Sequence, residues 1–299
     1  MPDRATIRDV GPRDGLQPEE PVAVAARIAL VEALVAAGLT RVEVAAFVSA
    51  KAVPAMAGAA DVVAGIDRRP GVTYAALVPN VRGAQMALEA GVDEITVTAS
   101  ASEAYSQRNV HMSVDESVAA VAEIVALAAE VDVPVDAVVS CSFGSPYEGD
   151  IAPSDVAALG ARLADGGAAA LTYADTTGMA TPRTVAALVD VLGSIEGVGL
   201  HLHDTRGTAL VNAYAALALG ITRFDTAVGG LGGSPFAHGA GGNLATEALV
   251  ALLDDLGVET GIDVEAVARA ALQVEELVGR PVPSGVAHAG PRTRRAPPP

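Results

Sequence analysis

The stretch V-A-V-A-A-R-I-A-L-V-E-A-L-V-A-A-G-L-T-R-V-E-V-A, Val22–Ala45, decides the fold. Apolar residues recur at helical spacing up to Ala37, Gly38 supplies a left-handed stop, and Arg41–Ala45 is a short β-rich run. The same order returns along the chain. Gly91, Gly167 and Gly220 each end an Ala/Leu-rich run and are followed three or four residues later by a β-branched or apolar one. Working outward, strands are expected at Thr6–Val10, Arg41–Ala45, Thr73–Val78, Glu94–Thr98, Val135–Ser140, Ala170–Tyr173, Gly199–His203 and Arg223–Thr226. Helices are expected between them and after the last, at Val22–Ala37, Met56–Ala64, Gly83–Ala90, Val114–Glu130, Ser154–Ala164, Pro182–Leu192, Ala209–Leu219 and Thr246–Leu256. Alternation of this kind builds a parallel sheet covered by helices, and its recurrence favours closure into a (β/α)8 TIM barrel over an open sheet. An additional helix, Val264–Val278, follows. The expected division is a barrel domain with its C-terminal helix over residues 1–280 and a mobile Pro/Arg-rich tail over 281–299.

Composition narrows the function. The 299 residues suit one large α/β domain, and apolar residues, mostly small aliphatics with few aromatics, make up 51% of them. A formal charge of -17 repels phosphate backbones and anionic lipid, which argues against nucleic acid and membrane partners. An anionic substrate would need local positive charge, from a residue such as Arg13 or from a bound cation. The lone Cys141 has no internal disulfide partner, and Met1–Val10 lacks the pattern of a signal peptide. The expected setting is reducing and cytoplasmic. The longest apolar runs, such as Val118–Ala129 with Glu123 inside it, are too short for membrane spans.

In such a barrel the chemistry sits at the carboxyl ends of the strands. Arg13 and Asp14 follow the first strand, Glu43 lies within the second, Asp175 follows the sixth, and His201 and His203 end the seventh. Residues two apart on a strand face the same way, so both imidazoles point to one side. A histidine pair alone is weak evidence for a metal. Asp14 can add a carboxylate and Asn243 a carbonyl oxygen, and such a mixed N/O set suits Mg2+ or Mn2+ better than structural zinc, which stays open. The loop G-G-L-G-G-S-P-F-A-H-G-A-G-G-N, Gly229–Asn243, is too rich in glycine for ordinary packing and is read as a lid that lets backbone approach a ligand.

Six segments together resemble HMG-CoA lyase, of the DRE-TIM metallolyases: V-G-P-R-D-G-L-Q at Val10–Gln17, F-V-S-A-K-A-V-P-A-M at Phe47–Met56, S-P-Y-E-G at Ser145–Gly149, D-T-T-G at Asp175–Gly178, H-L-H-D-T at His201–Thr205 and G-G-N-L-A-T-E at Gly241–Glu247. The resemblance implies a divalent cation held by Asp14, His201, His203 and Asn243, with Arg13, Glu43 and Asp175 around an acyl-CoA substrate. It also implies cleavage of 3-hydroxy-3-methylglutaryl-CoA to acetyl-CoA and acetoacetate by a retro-Claisen step, and a homodimer. In that reading His201 or Asp175 takes the hydroxyl proton and Arg13 steadies the enolate oxygen.

One position departs from the family. Where HMG-CoA lyases carry cysteine in G-G-C-P, this chain has Ser234. A thiol with pKa of about 8.5 is a credible acid near neutrality, whereas an aliphatic hydroxyl holds its proton far more tightly. His238 in the same loop either takes over as acid or lines the lid, Cys141 reads as a small buried residue, and Arg206 as an anion contact or a surface charge. The competing functions are a related aldolase or condensing enzyme acting on a hydroxy or oxo acid, and a ligand-binding homologue that has lost turnover.

Overall fold

In the computed structural model, which describes residues 1–233 and 241–295, eight parallel strands close into one barrel in sequence order, with the first pairing the last. The strands are β1 (Thr6–Asp9), β2 (Arg41–Ala46), β3 (Thr73–Leu77), β4 (Glu94–Ser100), β5 (Val135–Ser140), β6 (Ala170–Asp175), β7 (Val198–Leu202) and β8 (Arg223–Thr226). Around them lie α1 (Val24–Ala36), α2 (Ala59–Gly65), α3 (Val81–Ala90), α4 (Glu103–Asn109), α5 (Val114–Ala129), α6 (Pro153–Asp165), α7 (Pro182–Val191), α8 (Ala209–Ala218) and α9 (Thr246–Leu256). The expected (β/α)8 architecture is the observed one. The four glycines that set the repeat all take the left-handed conformation, at φ between +80° for Gly91 and +103° for Gly38.

Differences from the expected elements have local causes. Helix α4 was not expected, because E-A-Y-S-Q-R-N has no apolar stripe; it forms behind Ser102, whose hydroxyl accepts from Tyr105 N–H, and buries Tyr105 and Ser106. The second helix starts at Ala59 because Pro54–Met56 is a separate 3-10 turn. The additional helix α10 (Val264–Val278) is present and packs on α1 and α9. Of the segment expected as a mobile tail, the described part holds a short helix, α11 (Gly285–Ala289), which lies against α9 and α10 with Val282 and Ala287 buried.

The aliphatic core lies between the barrel and its helices: Val42, Val44, Ile95, Val97 and Leu200 on the strands meet Leu30, Leu34, Ile124 and Leu163. The inside of the barrel is polar. Arg8 on β1 reaches Glu94 on β4, Asp136 on β5 and Asp225 on β8. Contacts to β4 and β5, which are not neighbours of β1, can only cross the interior. Arg41 on β2 meets Glu94, and Arg223 on β8 meets Asp136, so three guanidinium groups face three carboxylates. Burial works against the charge on Arg8, yet Asp225 and Asp136 hold its pKa above the ordinary value. Such a network gains little net stability over an apolar filling, but removing one member strands an uncompensated charge.

A second buried carboxyl braces the top of β1. Asp9 accepts from Gly11 N–H at 2.7 Å and from the Thr246 hydroxyl at 2.6 Å, which joins the start of the β1 loop to α9. Burial pushes its pKa up to about 7 from 3.8. The native state thus keeps a proton that the unfolded chain has released, so this group's contribution to stability is present at low pH and is lost as pH rises towards 7. Asp9→Asn is expected to flatten the fall of the thermal midpoint between about pH 4 and about pH 7, the interval between the ordinary and the raised pKa. An unchanged slope in the variant would show that Asp9 is already ionised in the native state.

Candidate active site

The loops at the carboxyl ends of the strands bring the charged residues together. β1 runs into one turn of π-helix, Gly11–Gly15, which carries Arg13 and Asp14. Glu43 is fully buried on β2, beside a register shift between Glu43 and Ala45. β6 ends on Asp175, β7 carries His201, and His203 lies one residue past its end, in an isolated bridge with Asn243. That bridge ties the far side of the Gly-rich loop to the strand bearing the histidines. The glycines there permit backbone crossings: a Cβ on Gly242 would stand 1.9 Å from the Gly230 carbonyl oxygen, and one on Gly232 2.4 Å from Asn243 Nδ2.

Hydrogen bonds fix the cluster. Arg13 donates from Nε to Glu43 and from Nη1 to Asp14 Oδ1 at 2.6 Å. Asn243 Nδ2 donates to Asp14 Oδ2 at 2.7 Å and to the Leu231 carbonyl at 3.0 Å. With both acceptors facing the amide nitrogen, the orientation of Asn243 is set and its Oδ1 is buried without a partner among the described residues. His201 Nε2 and His203 Nε2 are 3.2 Å apart, and His201 Nε2 lies 4.0 Å from Asp14 Oδ2. Asp14, His201 and His203 each offer a ligand atom within 4.8 Å of the others.

These residues fit a divalent cation. His203 Nδ1 lies 3.0 Å from the Gly241 carbonyl, which only accepts, so Nδ1 carries the hydrogen and Nε2 presents a lone pair. Two nitrogens bound at right angles to one cation, at about 2.1 Å each, stand about 3.0 Å apart. The Asp14 carboxylate is an oxygen donor of the kind such an ion takes, and Asn243 Oδ1 is a second oxygen left unengaged among the described residues.

Charge follows the same geometry. Burial opposes ionisation of Asp14, but Arg13, His201 and His203 hold it below its ordinary pKa. Burial, reinforced by His201, pushes His203 down to about 4. For His201 burial is outweighed by the hydrogen bond to Asp225 and by Asp14, and its pKa is raised. Asp175 accepts from Met179 and Ala180 N–H groups through Oδ1 only; Oδ2 is buried and unpartnered among the described residues, and burial lifts this carboxyl to about 6.

The structure thus brings together Arg13, Asp14, Glu43, Asp175, His201, His203 and Asn243. Ser234 and His238 lie outside the described residues. Cys141 is fully buried at φ +57°, and burial raises its thiol to about 12. Arg206, left open between two readings, donates to the carbonyls of Thr177 and Gly178 and so joins the loops after β6 and β7. Sequence reasoning missed Asp225, 3.3 Å from His201 Nδ1. Its signal was a charged residue in the middle of an expected strand.

Fold and site define a (β/α)8 barrel with a metal-type cluster of two histidines and an aspartate at its mouth. The chain belongs to the HMGL-like family, whose sequence pattern matches residues 4–274. It is 44% identical over 284 residues, 94% of its length and 95% of the relative's, to the 3-hydroxy-3-isohexenylglutaryl-CoA/hydroxy-methylglutaryl-CoA lyase of Pseudomonas aeruginosa. It is 42% identical over 288 residues to a hydroxymethylglutaryl-CoA lyase of Bacillus subtilis, covering 95% and 96% of the two chains. The crystal structure of an HMG-CoA lyase from Acinetobacter baumannii in complex with coenzyme A and 3-methylmalate superposes with TM-score 0.93 at 38% identity, over 99% of this chain and 98% of that one.

Gly242→Ala tests the crossing that seats Asn243. The variant is expected to keep the circular dichroism of the barrel and to bind Mn2+ at least about 10-fold more weakly, the scale of losses when support for a ligand is removed. Unchanged Mn2+ affinity would detach the loop crossing from the site.

Proposed function

We propose that the protein is a divalent-metal-dependent carbon–carbon lyase. It cleaves 3-hydroxy-3-methylglutaryl-CoA, or a close 3-hydroxy-3-alkylglutaryl-CoA, to acetyl-CoA and a 3-oxo acid. The observation that carries this reading is the cluster of Asp14, His201, His203 and the unpartnered Asn243 Oδ1 in a barrel aligned over nearly its whole length with lyases of that name. The name of the Pseudomonas aeruginosa relative, which joins a long and a short 3-alkyl chain, supports the wider substrate class. Among the described residues no helix is long and apolar enough to cross a membrane. A cytoplasmic homodimer completes the proposal.

Asp14, His201, His203 and Asn243 would hold Mg2+ or Mn2+, which when bound lowers the pKa of a substrate hydroxyl and offsets carboxylate charge. With Nδ1 of His201 directed at Asp225 and Nε2 at the cation site, neither ring nitrogen is free to act as base. Asp175 takes the hydroxyl proton. The oxygen's electron pair then forms a carbonyl at C3 as the bond from C3 to the thioester α-carbon breaks, and the released pair moves into a thioester enolate. Arg13, oriented by Glu43 and Asp14, places a fixed guanidinium where that oxygen becomes negative. An acid from the Gly-rich loop, Ser234 or His238, returns a proton to the enolate carbon.

Purified protein supplied with HMG-CoA and Mg2+ or Mn2+ is expected to form acetoacetate and acetyl-CoA in equal amounts, and chelator is expected to stop it. Asp175→Asn is expected to lower kcat by about 100-fold or more, the range of a general base. Ser234→Cys is expected to raise turnover by restoring the thiol acid of the family. No product from wild type or Ser234→Cys, with methyl and longer 3-alkyl substrates alike, would overturn the assignment.

A further inference from the structure

The barrel interior and the cation site meet at one side chain. Asp225, on β8, takes both prongs of Arg8: Nε donates to Oδ1 at 2.8 Å and Nη2 to Oδ2 at 2.7 Å. Arg8 is held in turn on the far wall, where Nη1 lies 2.9 Å from Asp136 Oδ2, 3.1 Å from Glu94 Oε1 and 3.3 Å from the Thr96 hydroxyl. A carboxylate gripped by a guanidinium fork has a fixed plane and a fixed position. Its Oδ2 also lies 3.3 Å from His201 Nδ1, on the side of the imidazole opposite His203 and Asp14.

We propose that Asp225 is a positioning residue: by accepting the Nδ1–H of His201 from a place fixed by Arg8, it keeps Nε2 directed at the cation. An imidazole can carry its hydrogen on either nitrogen and can rotate about its side-chain bonds, and only one arrangement presents a lone pair to the cluster. The partner of the other nitrogen makes that choice. His203 obtains it from a backbone carbonyl, Gly241, and His201 from a side chain held by the fork of Arg8. One carboxylate of the charged filling thereby takes part in setting the affinity of the site above it, while Glu94 and both oxygens of Asp225 still hold Arg8 when Asp136 is neutral. Asp225 acts through His201 and need not touch substrate. The inference rests on the metal reading of the cluster.

The test compares Asp225→Asn with Asp136→Asn in the full chain. Both remove a carboxylate from Arg8, but only Asp225 meets the imidazole. Mn2+ binding, followed by the loss of free-ion paramagnetic resonance, is expected to weaken about 10- to 100-fold in Asp225→Asn and to stay within about twofold of wild type in Asp136→Asn. Proton NMR of Mg2+-loaded wild type is expected to show a downfield, slowly exchanging ring N–H of His201, kept in Asp136→Asn and lost in Asp225→Asn. Equal affinities in wild type and Asp225→Asn would overturn the inference and leave the metal reading standing. Absence of Mn2+ binding to wild type would overturn both. Should Asp225→Asn fail to fold, a wild-type His201 without a protected Nδ1–H still refutes the proposal.

Discussion

The ion pair between Arg8 and Asp225 is the contact on which the rest of the structure depends. It joins paired residues on the neighbouring strands β1 and β8, is almost wholly shielded from water, and belongs to a set in which Arg8, Arg41 and Arg223 balance Glu94, Asp136 and Asp225. In most barrels of this class branched aliphatic side chains fill that space. Charges in their place stabilise only if every member is paired, because each stranded charge costs several kcal/mol, about 3–5 for a broken buried pair. The arrangement therefore specifies position more than it adds stability. One carboxylate of the set ends up under His201, and the site inherits its orientation from the filling below.

Electrostatics above that layer call for a cation. Arg13 faces two carboxylates, Asp14 and Glu43, and Asp175 lies within the electrostatic reach of His201. The chain as a whole carries a formal charge of -17, so an anionic thioester approaches against a repulsive field. A divalent ion among Asp14, His201, His203 and Asn243, as proposed, would reverse the local sign where it matters. It would account for two imidazole nitrogens that face each other at 3.2 Å and for a buried amide oxygen without a donor among the described residues.

Much of this was legible in the chain. Glycine stops at Gly38, Gly91, Gly167 and Gly220 gave the repeat because left-handed caps leave a residue-type signature. The two-residue spacing of His201 and His203 put both rings on one side because a strand alternates its faces. The polar barrel interior was not legible. Arg8 and Asp225 lie in strands read correctly from their neighbours, but the partner of a buried charge comes from another strand, more than 200 positions away here. Asp9 and Thr246 were hidden for the same reason. Helix α4 escaped because its capping hydroxyl, not an apolar stripe, starts it. The proposal of Asp175 over His201 as base rests on which nitrogens and oxygens are already engaged, a question of contacts that spacing does not answer.

The central claim is that one divalent cation sits among Asp14, His201, His203 and Asn243 and organises the chemistry at the barrel mouth. Anomalous diffraction from crystals grown with Mn2+ tests it directly. The account predicts one strong peak in reach of the Asp14 carboxylate, both Nε2 atoms and Asn243 Oδ1. Absence of a peak there, or manganese bound only elsewhere on this acidic chain, would contradict it.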